Sequence, residues 1–394
     1  RWYENVLSEH LKADRQMVFL SGPRQVGKTT VGKRFCSAYQ SWDAKSFRNA
    51  VLAGEDAVAE LTGLSILGEK TRVLVFDEIH KFPKWKSFLK GFFDVYGGEA
   101  KIIVTGSARL DVFRKGGDSL MGRYFHYRMH PFSVGEIANP AVSKTEVRKQ
   151  KNIDDGDWNA LLEFGGFPEP FVKRDVGFAR KWRGMRRSQL IREDIRDMTK
   201  VFEIEQIGLL ATLLENRSGE QLVYASLGRD IQVSENTVKS WVSILSSLYF
   251  GFSVKPWFKN IENAIRKTPK WYLHDWSGIE DVGKRNETLV ACHLLKAVEG
   301  WNDTGLGLFD LFYVRDKQKH EVDFLVSRNK KPWCLVEVKT SDTHLASSLG
   351  RMQEQTGAEH AFQVVIDLPF TDANCFGKTT PVVVPARTFL SQLL

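Results

Sequence analysis

The stretch Gly22-Pro23-Arg24-Gln25-Val26-Gly27-Lys28-Thr29-Thr30 carries two glycines, then a lysine and two hydroxyls directly after the second. Gly22 and Gly27 free the backbone to curl until the N–H groups of Gln25, Val26, Gly27, Lys28, Thr29 and Thr30 face a phosphate. Lys28 then pairs with the β- and γ-phosphates of ATP, and the Thr29 hydroxyl is a ligand for Mg²⁺. Downstream, four apolar residues (Val73 to Phe76) run into Asp77-Glu78. Asp77 suits the Mg²⁺ shell, and Glu78 suits positioning or activating an attacking water. A further apolar run ends in Thr105-Gly106-Ser107. The hydroxyls of Thr105 and Ser107 either reach the γ-phosphate or its water, or simply form a turn. The chemistry implied is phosphoryl transfer to water.

A second set of charges stands near the C-terminus, in "EVDFLVS" and "WCLVEVKT". Glu321, Asp323, Glu337 and Lys339 lie inside runs that otherwise read as buried strand, where one unpaired charge costs several kcal/mol. Side chains alternate along a strand, so Glu321, Asp323 and Leu325 share one face, as do Leu335, Glu337 and Lys339. The short "RNKKP" loop between the runs predicts a hairpin that brings Asp323 and the Glu337/Lys339 pair to one surface. Glu287, at the start of a helix with Leu289, Val290, Leu294 and Leu295 at helical spacing, is the remaining candidate. Each charge then needs a partner or a metal.

Elements must hold these residues in place. Met17 to Leu20 reads as a strand, and Lys28 to about Tyr39 as the helix after it, the strand–loop–helix context that a phosphate loop requires. Asp77 and Glu78 then fall at the carboxyl edge of a parallel sheet, where nucleotide sites form. Residues 141–157 are polar and read as a connection. "KRDVGFARKWRGMRRSQLIREDIR" is a basic helical segment, read as a solvated linker in preference to a nucleic-acid contact. "EQIGLLATLLENRSG" is an amphipathic helix. "YASLGRDIQVSENTVKSWVSILSSLYF" reads as helix, turn, helix, with Ser234 as N-cap and Val238, Trp241, Ile244 and Leu245 buried. Tyr249 to Trp257 and "KTPKWYLHD" supply two paired strands, giving a winged helix-turn-helix. Its second helix carries Lys239 alone as a cation, which suits DNA backbone contact better than sequence reading and leaves protein docking open.

The blocks "GPRQVGKTT", "FDEIHKFPKW", "IIVTGSARL", "GRYFHYRMHPFSVGEI" and "FGGFPEP" together resemble the AAA-superfamily ATPases of bacteria and archaea that carry a poorly characterised C-terminal domain. The resemblance covers nearly the whole chain. It implies a RecA-like sheet of about five strands followed by a small helical lid. Arg123 is similar to arginines that sense the γ-phosphate in related ATPases, with a surface salt bridge as the other reading. Pro168, in "GGFP", resembles the glycine–proline turn placed against adenine, or is a structural turn. The helix with Glu287, the strand with Asp323 and the strand with Glu337-x-Lys339 resemble PD-(D/E)xK nucleases. That likeness implies Mg²⁺ on Asp323 and Glu337, with Glu287 near and Lys339 orienting water or stabilising charge on phosphate. A salt-bridged structural cluster is the alternative.

The fold expected is α/β throughout: a RecA-like P-loop ATPase core over 1–138, a helical lid and linker over 139–200, a winged helix-turn-helix over 201–274, and a restriction-endonuclease-like domain over 275–394. The chain of 394 residues has a net charge of +8, which favours polyanionic partners. DNA is the partner expected, with a homo-oligomer or a protein docked on the winged helix as further candidates. No apolar run approaches membrane-spanning length and no signal peptide is seen, so a cytoplasmic location is expected. The chain starts at Arg1, so an initiator methionine is expected upstream. Cys36, Cys292, Cys334 and Cys375 show no CxxC spacing, against a disulfide framework or a zinc site.

Overall fold

Met17–Ser21 forms β1 with all five residues buried, as a short apolar run does where a parallel sheet is covered on both faces. The computed structural model describes residues 1–67, 71–106, 120–195, 204–258 and 268–394, in two units, Arg1–His130 and Pro131–Leu394.

In the first unit, α1 (Trp2–Ala13) precedes β1. Then come α2 (Lys28–Phe35), β2 (Ala38–Ser41), α3 (Lys45–Ala53), α4 (Glu55–Leu61), β3 (Arg72–Asp77), α5 (Trp85–Tyr96), β4 (Ala100–Thr105) and β5 (Tyr124–Arg128). The strands form one parallel sheet in the order β2-β3-β4-β1-β5. Because β4 is inserted between β1 and β3, the ends of all three strands reach one edge together. The register confirms it: Leu20 and Asp77 are both level with Thr105. α5 is amphipathic and buries Trp85, Phe88, Leu89, Phe92 and Phe93 at helical spacing, against a core that includes Phe19, Leu74, Phe76 and Val104.

The second unit opens with the short helices α6 (Val134–Ala138), α7 (Asp155–Phe164) and α8 (Pro168–Lys173), then α9 (Val176–Gln189) and a π-helical turn, Leu190–Asp194. α10 (Ile204–Asn216), α11 (Tyr224–Ile231) and α12 (Glu235–Ser247) follow. Ser234 Oγ accepts the Thr237 N–H at 3.1 Å and caps α12. β6 (Gly251–Pro256) pairs antiparallel with β7 (Lys270–Leu273). The 22-residue α13 (Val282–Asp303) is capped by Asp281, which accepts the Lys284 N–H. Then come β8 (Phe309–Arg315), β9 (Glu321–Arg328), β10 (Lys331–Lys339), α14 (Ser347–Thr356), β11 (His360–Val365), β12 (Val382–Pro385) and α15 (Ala386–Ser391). Asn329 and Lys330 join β9 to β10 with φ of 51° and 66°, the left-handed pair that a tight hairpin needs.

The sheet order is β12-β11-β10-β9-β8-β6-β7. β6 runs parallel to β8, so the strand pair that follows α12 continues the sheet of the carboxylate-bearing strands. Lys296 and Glu136 form a fully buried ion pair, with Lys296 Nζ also donating to Pro131 O at 2.9 Å. It fixes α6 on α13.

Candidate functional site

At the carboxyl edge of the first sheet the chain leaves β1 through a loop shaped by its glycines. Gly22 has φ +148°, and a Cβ there would lie 2.3 Å from Met129 O, so no other residue fits without displacement. Gln25 and Gly27 are also left-handed, at 63° and 103°. This succession turns backbone N–H groups inward ahead of α2, whose N-terminus adds a positive dipole end. Arg1 braces the loop from outside through Val26 O at 3.1 Å and His130 O at 2.7 Å. Lys28 is buried and its Nζ donates to Gly22 O (2.8 Å) and Pro23 O (2.7 Å). Thr30, two residues further along α2, is exposed.

Asp77 is the hub. Thr29 Oγ1 and Tyr39 OH donate to its Oδ2 at 3.0 and 2.6 Å, and Thr105 Oγ1 donates to Oδ1 at 2.6 Å. Three hydroxyls converge on this one buried carboxylate and fix its orientation beside the loop. Thr29 and Asp77 are adjacent hard oxygens of the kind Mg²⁺ takes, and the curled loop fits a polyphosphate, so the residues present fit a Mg²⁺-bound triphosphate. Glu78 is left-handed (φ 58°), with its N–H on Thr105 O at 2.9 Å. Its Oε2 is 3.6 Å from His80 Nε2 and 3.7 Å from Lys81 Nζ. Burial raises its pKa, Lys81 opposes that, and Asp77 reinforces it. A carboxylate raised in this way is a better proton acceptor for water.

Arg123 does not join this edge. Arg123 precedes β5 and its O accepts the Met17 N–H, so it sits at the opposite, amino edge of the sheet. Five strand residues separate the two edges, about 16 Å at ~3.3 Å per residue. Arg123 there makes a two-bonded pair with Asp94, at 2.8 and 3.0 Å. Pro168 is the first residue of α8, in the second unit, where Phe167 beside it carries the Arg186 guanidinium 4.1 Å over its ring. Ser107 lies outside the described residues.

In the second unit the C-terminal charges do meet. Asp323 Oδ2 accepts the Val338 N–H at 2.9 Å, which locks the hairpin at that level. Lys339 Nζ donates to Glu337 Oε1 at 2.7 Å, while Glu337 Oε2 is buried without a hydrogen-bond partner. Burial, with the charge of Asp323 beside it, pushes the Glu337 and Glu287 carboxyls above their usual range. Tyr272 OH donates to Glu287 Oε1 at 2.7 Å. Lys270 stands at the centre: its Nζ lies 2.7 Å from Glu321 Oε1, 3.2 Å from Glu287 Oε1 and 3.5 Å from Asp323 Oδ1. Burial pulls this ammonium toward neutrality, and the three carboxylates overcome it and hold its pKa above the ordinary value. The orphaned Glu337 oxygen suits a hard cation, yet Asp323 is already shared between a backbone N–H and Lys270. Among the described residues, no group of three or more His, Cys, Asp or Glu is arranged to hold a metal ion.

Two of these residues escape sequence reasoning. Tyr39, expected in the last turn of the helix from Lys28, lies instead on β2, because α2 ends at Phe35 and the chain is extended from Ala38, in a short, half-polar strand with no periodic signal. Lys270 did leave a trace, since it opens the buried run Lys270–Leu273 just as Glu321 and Asp323 interrupt theirs.

No helix among the described residues is long and apolar enough to cross a membrane. Residues 14–138 match the family described as AAA domain, and residues 155–279 and 282–378 match two domains of unknown function, DUF8612 and DUF4143. Uncharacterized proteins of Mycobacterium tuberculosis and Mycobacterium bovis are each 24% identical over 398 residues, covering 95% of this chain and 81% of theirs. One of Methanocaldococcus jannaschii is 22% identical, covering 82% of this chain and 75% of its own. Among solved structures, one of Pif1 helicases at forked DNA overlaps at 14% identity and TM-score 0.22, covering 43% of this chain and 49% of that one. A STAND protein with a tetratricopeptide repeat sensor from Pyrococcus horikoshii overlaps at 12% identity and TM-score 0.24, covering 76% and 46%. This chain thus spans about half the length of either structure, and overlaps so slight carry no argument. The AAA match supports an AAA-type P-loop ATPase followed by domains of unknown function, and with it nucleotide-dependent activity.

Proposed function

We propose that the protein binds and hydrolyses ATP at the Gly22–Thr30 loop and couples nucleotide state to a winged-helix and nuclease-like C-terminal half directed at DNA. The observation that carries the ATPase reading is the convergence of Thr29, Thr105 and Tyr39 on Asp77, beside a loop whose glycines open it to phosphate. Bound Mg²⁺ would supply charge neutralisation on the β- and γ-phosphates. The chain's own residues do the rest. The loop N–H groups hold phosphate oxygens, Lys28 leaves the carbonyls of Gly22 and Pro23 to meet the γ-phosphate, and Glu78 accepts the proton of the attacking water. Orthophosphate release is the test. Lys28→Ala and Glu78→Gln should each lower turnover at least about 10²-fold; unchanged turnover in both would end the proposal.

DNA as partner is supported by the α11–turn–α12 arrangement, the net charge of +8 and the exposed Arg180 and Lys181 of α9. A second reading, a nucleotide-gated protein-docking switch with a catalytically silent nuclease-like site, is favoured by Lys270, which occupies the heart of the carboxylate cluster.

A further inference from the structure

The cluster around Asp323 contains a cation that the nuclease-like arrangement of Glu287, Asp323, Glu337 and Lys339 does not require. Lys270 has three N–H donors, no acceptor, and three carboxylates within 3.5 Å. Its side chain is only 5% exposed, so the ammonium is held inside the cluster and not merely lying across its rim. The carboxylates come from α13 (Glu287) and β9 (Glu321, Asp323), whereas Lys270 arrives on β7, an edge strand paired with β6. A positive charge in that place neutralises the desolvated acids and lies against Asp323 Oδ1, the oxygen that the Val338 N–H leaves open. Glu337 Oε2 is then left as the one buried acceptor of the set without a hydrogen-bond partner.

We propose that Lys270 is a built-in counter-cation of the nuclease-like site: it competes with divalent metal for Asp323 and its neighbours, so the site is closed to metal while β7 keeps the lysine in place. This rests on the nuclease-like reading of the C-terminal half and names what regulates it. The wing strand that carries Lys270 becomes the lock on the site, and any partner that displaces β7 opens it. The test is Mn²⁺ binding followed by electron paramagnetic resonance, on the full chain, with the wild type, Lys270→Met, and each combined with Asp323→Asn. Lys270→Met should bind one Mn²⁺ that Asp323→Asn removes, at least about tenfold tighter than any Asp323-dependent binding in the wild type, since a close like charge has gone. A wild type that binds Mn²⁺ through Asp323 as tightly as Lys270→Met, or a folded Lys270→Met that gains no site, overturns the proposal. Should Lys270→Met not fold, the wild type against Asp323→Asn decides. Superimposable Mn²⁺ isotherms support the lock, and loss of a site in Asp323→Asn contradicts it. Plasmid cleavage is read separately. Metal gained by Lys270→Met without Lys339-dependent nicking removes the nuclease reading and leaves the role of Lys270 intact.

Discussion

His293 shows how much a single buried side chain can impose on the second unit. Its Nδ1 donates to Leu289 O at 2.7 Å and its Nε2 accepts the Val134 N–H at 3.1 Å, a pair of partners that only the neutral ring with its proton on Nδ1 can satisfy. Burial lowers its pKa from 6.5 to about 4, and nearby Lys296 adds to that. Between those values the unfolded chain holds a proton that the folded ring refuses. Stability present above pH 6.5 is therefore lost as pH falls toward 4, at up to about 1.4 kcal/mol per pH unit. Thermal unfolding across pH 7 to 4 should fall more steeply for the wild type than for His293→Gln; parallel curves would contradict this. At the same scale, the phosphate-loop residues were legible because their types and spacing have one chemical use. Tyr39 was not, because its role comes from β2 lying beside β3, a pairing that no local pattern encodes.

Among elements, α12 is the informative case. Its buried face is Val238, Trp241, Val242 and Leu245; helical spacing had pointed to Ile244, and Val242 turns inward instead. Ridge packing chooses between neighbours on an amphipathic face, and periodicity alone does not. Lys239, the lone cation of α12, is held by Glu235 at 2.7 Å, four residues back. The unpaired electrostatic reach toward phosphate lies more with α9, where Arg180 and Lys181 are exposed. If duplex DNA binds through its backbone, each phosphate contact adds about −0.9 to the slope of log affinity against log salt. Arg180→Ala with Lys181→Ala should flatten that slope by about 1.8, and Lys239→Ala should change it by much less. The reverse order would contradict this placement, and salt-insensitive binding would favour the protein-docking reading. The β9–β10 hairpin was legible from its short loop and alternating charges; the continuation of its sheet through β6 and β7 was not, because parallel pairing across a long sequence gap leaves no local mark.

For the whole molecule, the sheet order decides what one chain can do alone. Arg123 belongs to the amino edge and the phosphate loop to the carboxyl edge, so a chain cannot bring Arg123 to its own nucleotide without dismantling β5. That Arg123 precedes a strand is legible in the sequence; the edge it occupies is not, because it depends on β5 pairing parallel with the distant β1. An arginine serving the transition state from this position must come from a second copy. Turnover per chain should then rise with protein concentration, and Arg123→Ala should remove that rise and cost up to about 10³-fold at high concentration. Concentration-independent turnover, indifferent to Arg123→Ala, would confine the residue to its ion pair with Asp94. The measurement that bears most directly on the account is nucleotide occupancy in Mg²⁺ and ATP, counted per chain after rapid gel filtration. Glu78→Gln should retain one unhydrolysed ATP and Lys28→Ala none. ATP retained equally by Lys28→Ala, or converted by Glu78→Gln as fast as by the wild type, would contradict it.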